Sequence, residues 1–177
     1  MKGILGFDPS LVSSGFAYQG QDDYHTGRIR SNKLRGPERL EFIEKSFKEV
    51  ISAVAAHCGS IDLIVYEGYA MGGAAQRGRF FDMGELGGVL KLVAWRMHID
   101  VLLVPPSNLK QFVTGKGRAE KEEMTEAIAK NWGYLVPQND EADAFGLLKM
   151  GEAFLSSRKP RSSARANALA TSQLITQ

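Results

Sequence analysis

Four carboxylates set the chemistry to be explained. Asp8 closes the apolar run Ile4-Leu5-Gly6-Phe7, and Glu67 closes a second run, Leu63-Ile64-Val65-Tyr66. Asp140 and Asp143 stand three apart in NDEADAFGLL, residues 139–148. An unpaired carboxylate at the end of a buried strand costs several kcal/mol, so each needs a partner. Taken singly, the last two have a simpler reading: Asp140 caps a helix and Asp143 is an acidic first-turn residue. Taken together, the four come from three remote places, each at the end of its element where sites are built. Brought into one pocket they would repel, and a divalent cation relieves that repulsion. Oxygen-only ligation selects hard ions, Mg²⁺ with Mn²⁺ as a substitute. Two such ions about 4 Å apart suit a scissile phosphate, one activating water and the other stabilising the leaving oxygen.

The elements that must position these acids follow from the apolar pattern. Residues 2–8, 14–19 and 23–30 read as strands separated by DPSLVSS and GQDD, an antiparallel meander. Pro37 opens a helix whose Leu40, Ile43, Phe47, Val50 and Val54 share one face, and Gly59 stops it. Strands at Leu63–Glu67 and Val101–Val104 flank a helix expected from Phe80 to Met97. That helix carries Gly84, Gly87 and Gly88, which fits either a close-packing or dimer surface or simple tolerance. Residues 107–114 form a short helix, TGKGR a turn, Ala119–Trp132 a helix, and Asp140 or Glu141 to about Phe154 the last one. A right-handed crossover would lay the fourth strand parallel to the first. Asp8 and Glu67 would then share the carboxyl edge of an α/β sheet, where such folds place their sites.

At this point the chain resembles the RuvC-type Holliday junction resolvases, a branch of the RNase H-like nucleases. The resemblance rests on GFDPS with the glycine before Phe16, on IVYEGY, on the DEAD segment with its D-x-x-D, and on NLKQFVTGKGRAEKEEM, residues 108–124. These motifs run in family order from residue 3 to about 150. It implies an RNase H-like three-layer fold with a central five-stranded mixed sheet flanked by helices. It also implies a homodimeric, metal-dependent endonuclease that nicks two like strands of a four-way DNA junction. Asp8, Glu67, Asp140 and Asp143 carry over as metal ligands, with two ions per site. Lys110 and Lys121, separated as in the family, carry over as residues at the junction backbone or scissile phosphate, Lys121 as part of the catalytic set. Lys116 and Arg118, in the turn between them, join the expected DNA-contacting group. Both lysines also fit ordinary surface charge.

The chain departs from the family pattern after the glutamate. An aromatic residue often stands three positions on, where it stacks on an unpaired base; here that position is Ala70, and Tyr69 lies one residue early. Tyr69 suits stacking or a place in the core. Gly72–Arg79 also departs, gaining Arg77 and Arg79, which suit a phosphate-contacting loop or a solvated one. A broader activity on flaps, forks or structured RNA is the nearest alternative. More distant ones are a nucleotide-binding ATPase of the actin and sugar-kinase kind, for which the second glycine motif is missing, and a non-catalytic junction binder, which has no need of four acids.

The remaining features are bland. The chain has 177 residues and a net charge of +2. Four basic and no acidic residues lie beyond Ser156, which leaves residues 1–156 at −2. Nucleic acid would therefore be met by local patches rather than a globally basic body. We expect a nuclease domain over 1–156 and a basic, polar extension over 157–177, flexible or loosely docked. One cysteine, Cys58, permits no internal disulfide. No apolar stretch approaches a membrane span, and the N-terminal apolar core is short for a signal peptide. A cytoplasmic, intracellular protein is expected, with a viral protein acting in a host cell as a variant of that reading. His25, His57 and His98 show no metal-ligand spacing, and GKG at 115–117 lacks the rest of a phosphate-binding loop.

Overall fold

Alternation along the first strand decides which side of the sheet the chemistry faces. The computed structural model describes residues 3–68, 77–156 and 172–175. In β1 (Ile4–Asp8), Leu5 and Phe7 pack into the core on one face, while Ile4 belongs to the core on the other. The period of two therefore sends Gly6 and Asp8 to the Ile4 side. The same count in β4 (Leu63–Glu67) places Leu63, Val65 and Glu67 on that side, and Ile64 and Tyr66 opposite.

The sheet order is β3-β2-β1-β4-β5-β6. β2 (Ser13–Gln19) pairs antiparallel with β1 and with β3 (Tyr24–Arg30), giving the expected meander. β4 pairs parallel with β1, and β5 (Asp100–Val104) parallel with β4, so Asp8, Glu67 and Val104 end at one edge. Two helices cover one face: α1 (Gly36–Cys58), which ends at Gly59 with φ 82°, and α2 (Arg77–Arg96). The opposite face carries α3 (Pro106–Thr114), α4 (Lys121–Trp132) and α5 (Asn139–Ser156). Three layers result, with a core on each side of the sheet.

Two expectations need correction. The five-stranded sheet has a sixth strand, β6 (Gln173–Ile175), which pairs antiparallel with β5. Three residues in a polar tail carry too little pattern to read as a strand, and the pairing comes from β5's open edge. The glycine-bearing helix begins at Arg77 rather than Phe80, so Arg77 and Arg79 belong to its first turn and not to a loop.

α5 lies unusually close to the sheet because two glycines let it. Gly6 faces the Ala144 carbonyl and the Leu148 amide, and Gly15 faces the Asp140 carbonyl; a Cβ at either would collide with that backbone. Gly15 is also the register partner of Asp8. The close approach that seats α5 thus brings its acidic first turn beside the end of β1.

Candidate active site

Three elements converge on the carboxyl edge. β1 and β4 deliver Asp8 and Glu67 on the α5 face, and the start of α5 delivers Asp140 and Asp143. All four are half-buried. Asp140 does not cap its helix: its Oδ2 accepts a 2.8 Å hydrogen bond from Ser13 Oγ on β2. The helix instead opens one residue earlier, at Asn139.

The electrostatics show that these groups share one environment. Burial pushes the Asp8 carboxyl well above its usual range, and Glu67, Asp143 and Asp140 push it further, with Lys121 opposing. Burial, then the charge of Asp143, raises Glu67 to about 7, against the pull of Lys110. Asp143 rises to about 6, chiefly through burial and with a contribution from Asp140, although Lys121 and Lys110 both lower it. Two lysines therefore do not neutralise the cluster. The donors on offer are carboxylate oxygens only, a chemistry that suits hard cations. Among the described residues no three acidic, histidine or cysteine side chains are already drawn into a cation cage. The acids are neighbours across one edge rather than a closed set of ligands, and Asp140 is turned toward Ser13.

The lysines come from a connected unit on the α3–α4 side. Lys110 Nζ reaches the Ala119 carbonyl at 2.6 Å, which ties α3 to the start of α4. α4 opens on a reciprocal cap between Glu120 and Glu123, which sets Lys121 as its first residue. A lysine is electrostatically unfavourable at a helix N-terminus, and here the acids opposite compensate it. Lys116 and Arg118 are exposed in the turn between the helices; Lys116 is held by Glu123 at 2.6 Å. Tyr69 lies outside the described residues, and Arg77 and Arg79 are placed by backbone alone, in the first turn of α2.

Sequence reading missed Ser13, Thr26, Arg28 and Glu141. Glu141 is 6% exposed, and it sits between the two acids of the D-x-x-D pair. Its Oε2 accepts from Thr26 Oγ1 at 2.7 Å, and its Oε1 lies 3.3 Å from Arg28 Nε. The available signal was a third acid in DEAD that a metal site did not need.

The mixed sheet with helices on both faces defines the class: an RNase H-like α/β fold, with four acids at its carboxyl edge. Solved structures agree on the fold. Thermus thermophilus RuvC superposes with a TM-score of 0.64 at 19% identity, covering 85% of this chain and 93% of that one. The structure described as T. thermophilus RuvC in complex with Holliday junction substrate gives 0.63 at 18%, covering 82% and 89%. The family model described as crossover junction endodeoxyribonuclease RuvC matches residues 4–147, and the chain belongs to that family. Relatives carrying that name include one from Hydrogenovibrio crunogenus, 28% identical over 81% of this chain and 83% of its own length. One from Rickettsia africae is 28% identical over 81% of this chain and 92% of its own length. The family is one of metal-dependent nucleases.

Proposed function

We propose that this protein is a structure-selective endodeoxyribonuclease that resolves four-way DNA junctions by hydrolysing phosphodiesters in two like strands. The observation that carries the reading is the convergence of Asp8 and Glu67, at the ends of adjacent parallel strands, with Asp140 and Asp143, in the first turn of α5 packed on β1, at one sheet edge. Asp8, Glu67, Asp140 and Asp143 would hold two Mg²⁺ ions, with Mn²⁺ as a substitute. Bound there, the ions would supply an activated water and charge stabilisation for the leaving oxygen. The chain's own contribution is position. β1 and β4 fix Asp8 and Glu67 from the sheet, and α5 fixes the other pair from above. Lys121, at the start of α4, offers a fixed positive charge to the scissile phosphate, and Lys110 braces the turn that carries it. Arg118, Lys116, Tyr69, Arg77 and Arg79 extend the proposed DNA-contacting set.

Cutting two like strands of a symmetric junction needs two sites related by a two-fold axis. α2 supports a homodimer. Phe81, Leu92 and Trp95 are 72%, 44% and 61% exposed along one side of that helix. Gly84 and Gly88, on the same side, have open space where a Cβ would stand. A second copy of the helix fits such a stripe better than water does. The nuclease unit would span residues 1–156, with 157–177 as a basic extension that adds β6 to the sheet edge, and a DNA substrate would put its work inside a cell. No helix among the described residues is long and apolar enough to cross a membrane.

The test is cleavage of a synthetic mobile four-way junction with Mg²⁺, Mn²⁺ and Ca²⁺ in parallel, beside flap, duplex and RNA-hybrid controls. Paired nicks with Mg²⁺ and Mn²⁺ are expected. Ca²⁺ should support binding with little turnover, because its looser coordination positions water poorly. Asp8→Asn should abolish cutting while leaving junction binding largely intact; a mutant that cuts like wild type overturns the assignment.

A further inference from the structure

We infer that Glu141 is a positioning residue, locked by Thr26 and Arg28, and that this lock sets the affinity of the acidic edge for divalent cations. The inference rests on the metal-dependent reading above. Glu141 is not placed to be a ligand itself. Its two carboxylate oxygens are engaged by Thr26 Oγ1 at 2.7 Å and Arg28 Nε at 3.3 Å, both on β3. β3 stands two strands away from β1, which carries Asp8.

The lock is the end of a longer fastening. Tyr24, Thr26 and Arg28 alternate along β3 and so share one face. Glu141, Phe145 and Lys149 recur every four residues and so form one stripe of α5. The two rows meet rung by rung. Arg28 and Thr26 take Glu141; the Tyr24 ring stands edge-on to Phe145 at 5.1 Å; and Lys149 Nζ donates to the Tyr24 hydroxyl at 2.5 Å. Apolar packing of α5 on the sheet fixes its distance but tolerates sliding and rotation. Charge-assisted hydrogen bonds are directional and remove that freedom. The one rung that lies within the D-x-x-D turn is Glu141, flanked by Asp140 and Asp143. Groups that orient metal ligands in this way tune affinity without touching the ion.

The experiment titrates Mn²⁺ into the full chain by calorimetry and measures the Mg²⁺ concentration that half-saturates junction cutting. Glu141→Gln and Arg28→Ala should weaken Mn²⁺ binding and raise the half-saturating Mg²⁺ about ten-fold or more. At saturating Mg²⁺ the cutting rate should return to within roughly three-fold of wild type, because no group that touches the phosphate has changed. Arg28→Lys, which keeps a cation facing Glu141, should recover most of the affinity. A role confined to fold stability would lower the melting temperature and leave Mn²⁺ affinity per folded molecule unchanged, and that result overturns the inference. Should either variant fail to fold, Thr26→Val, which removes one hydrogen bond, carries the same expectation of weakened Mn²⁺ binding, and a wild-type titration there is equally fatal. Asp143→Asn separates the two readings. If it loses Mn²⁺ binding while the lock variants titrate normally, the inference alone fails; if it also binds and cuts normally, the metal site fails.

Discussion

Glu67 shows what the acidic edge costs the fold. In the folded chain without metal its carboxyl rises from 4.5 to about 7. The folded state then holds a proton that the unfolded chain has released, so stability falls as pH rises across that window. The penalty is absent below pH 4.5, grows through the window and is complete above pH 7. Each pKa unit is worth about 1.4 kcal/mol, so Glu67 alone costs on the order of 3 kcal/mol at the alkaline end. Asp143, raised to about 6, and Asp8 act in the same direction. The melting temperature of the protein in chelator should therefore drop by roughly 5–10 °C between about pH 5 and about pH 8. Added Mg²⁺ should restore more of it at the upper pH than at the lower. Scanning calorimetry at both pH values checks this, and a melting temperature that climbs with pH in chelator would contradict it. Asp8 and Glu67 were legible in the sequence because a carboxylate ending an apolar run is conspicuous. Ser13, Thr26 and Arg28 were not, since their acidic partners lie more than a hundred residues away along the chain and nothing local marks the pairing.

At the scale of elements, the decisive contact is α5 on β1 and β2. Gly6 meets the Ala144 carbonyl so closely that a methyl group has nowhere to go, and the obstacle is backbone rather than a side chain that can turn aside. Gly6→Ala should destabilise the protein by about 3 kcal/mol, read from urea unfolding. Lifting α5 would also withdraw Asp140 and Asp143 from Asp8, so cutting should fall further than the folded fraction does. An alanine variant with wild-type stability would show that the helix sits higher than described. The elements themselves were mostly legible. The strand runs, the Pro37 start and Gly59 stop of α1, and the short α3 all followed from periodicity and breakers. The α4 start slipped from Ala119 to Lys121 because its cap is a glutamate pair, Glu120 with Glu123, rather than the more recognisable serine or threonine form. The start of α2 slipped because glycine-rich sequence offers no apolar period to count.

For the whole molecule, the exposed stripe on α2 and the two-fold symmetry of a junction point to the same assembly. Trp95→Glu should shift sedimentation from dimer to monomer at micromolar protein, with the circular dichroism spectrum unchanged, because Trp95 is 61% exposed and supports no core of its own. The monomer should lose paired nicking. A variant that stays dimeric would move the interface to another face. The sheet has a second exposed flank, and it is handled differently. β5 would present a bare row of amide and carbonyl groups were it not for the three residues of β6. Those residues act as a stopper on a polymerisable rim. Removing Gln173–Ile175, an edit that spares the proposed chemistry, would leave β5 free to recruit the corresponding strand of a neighbour and so template its own assembly.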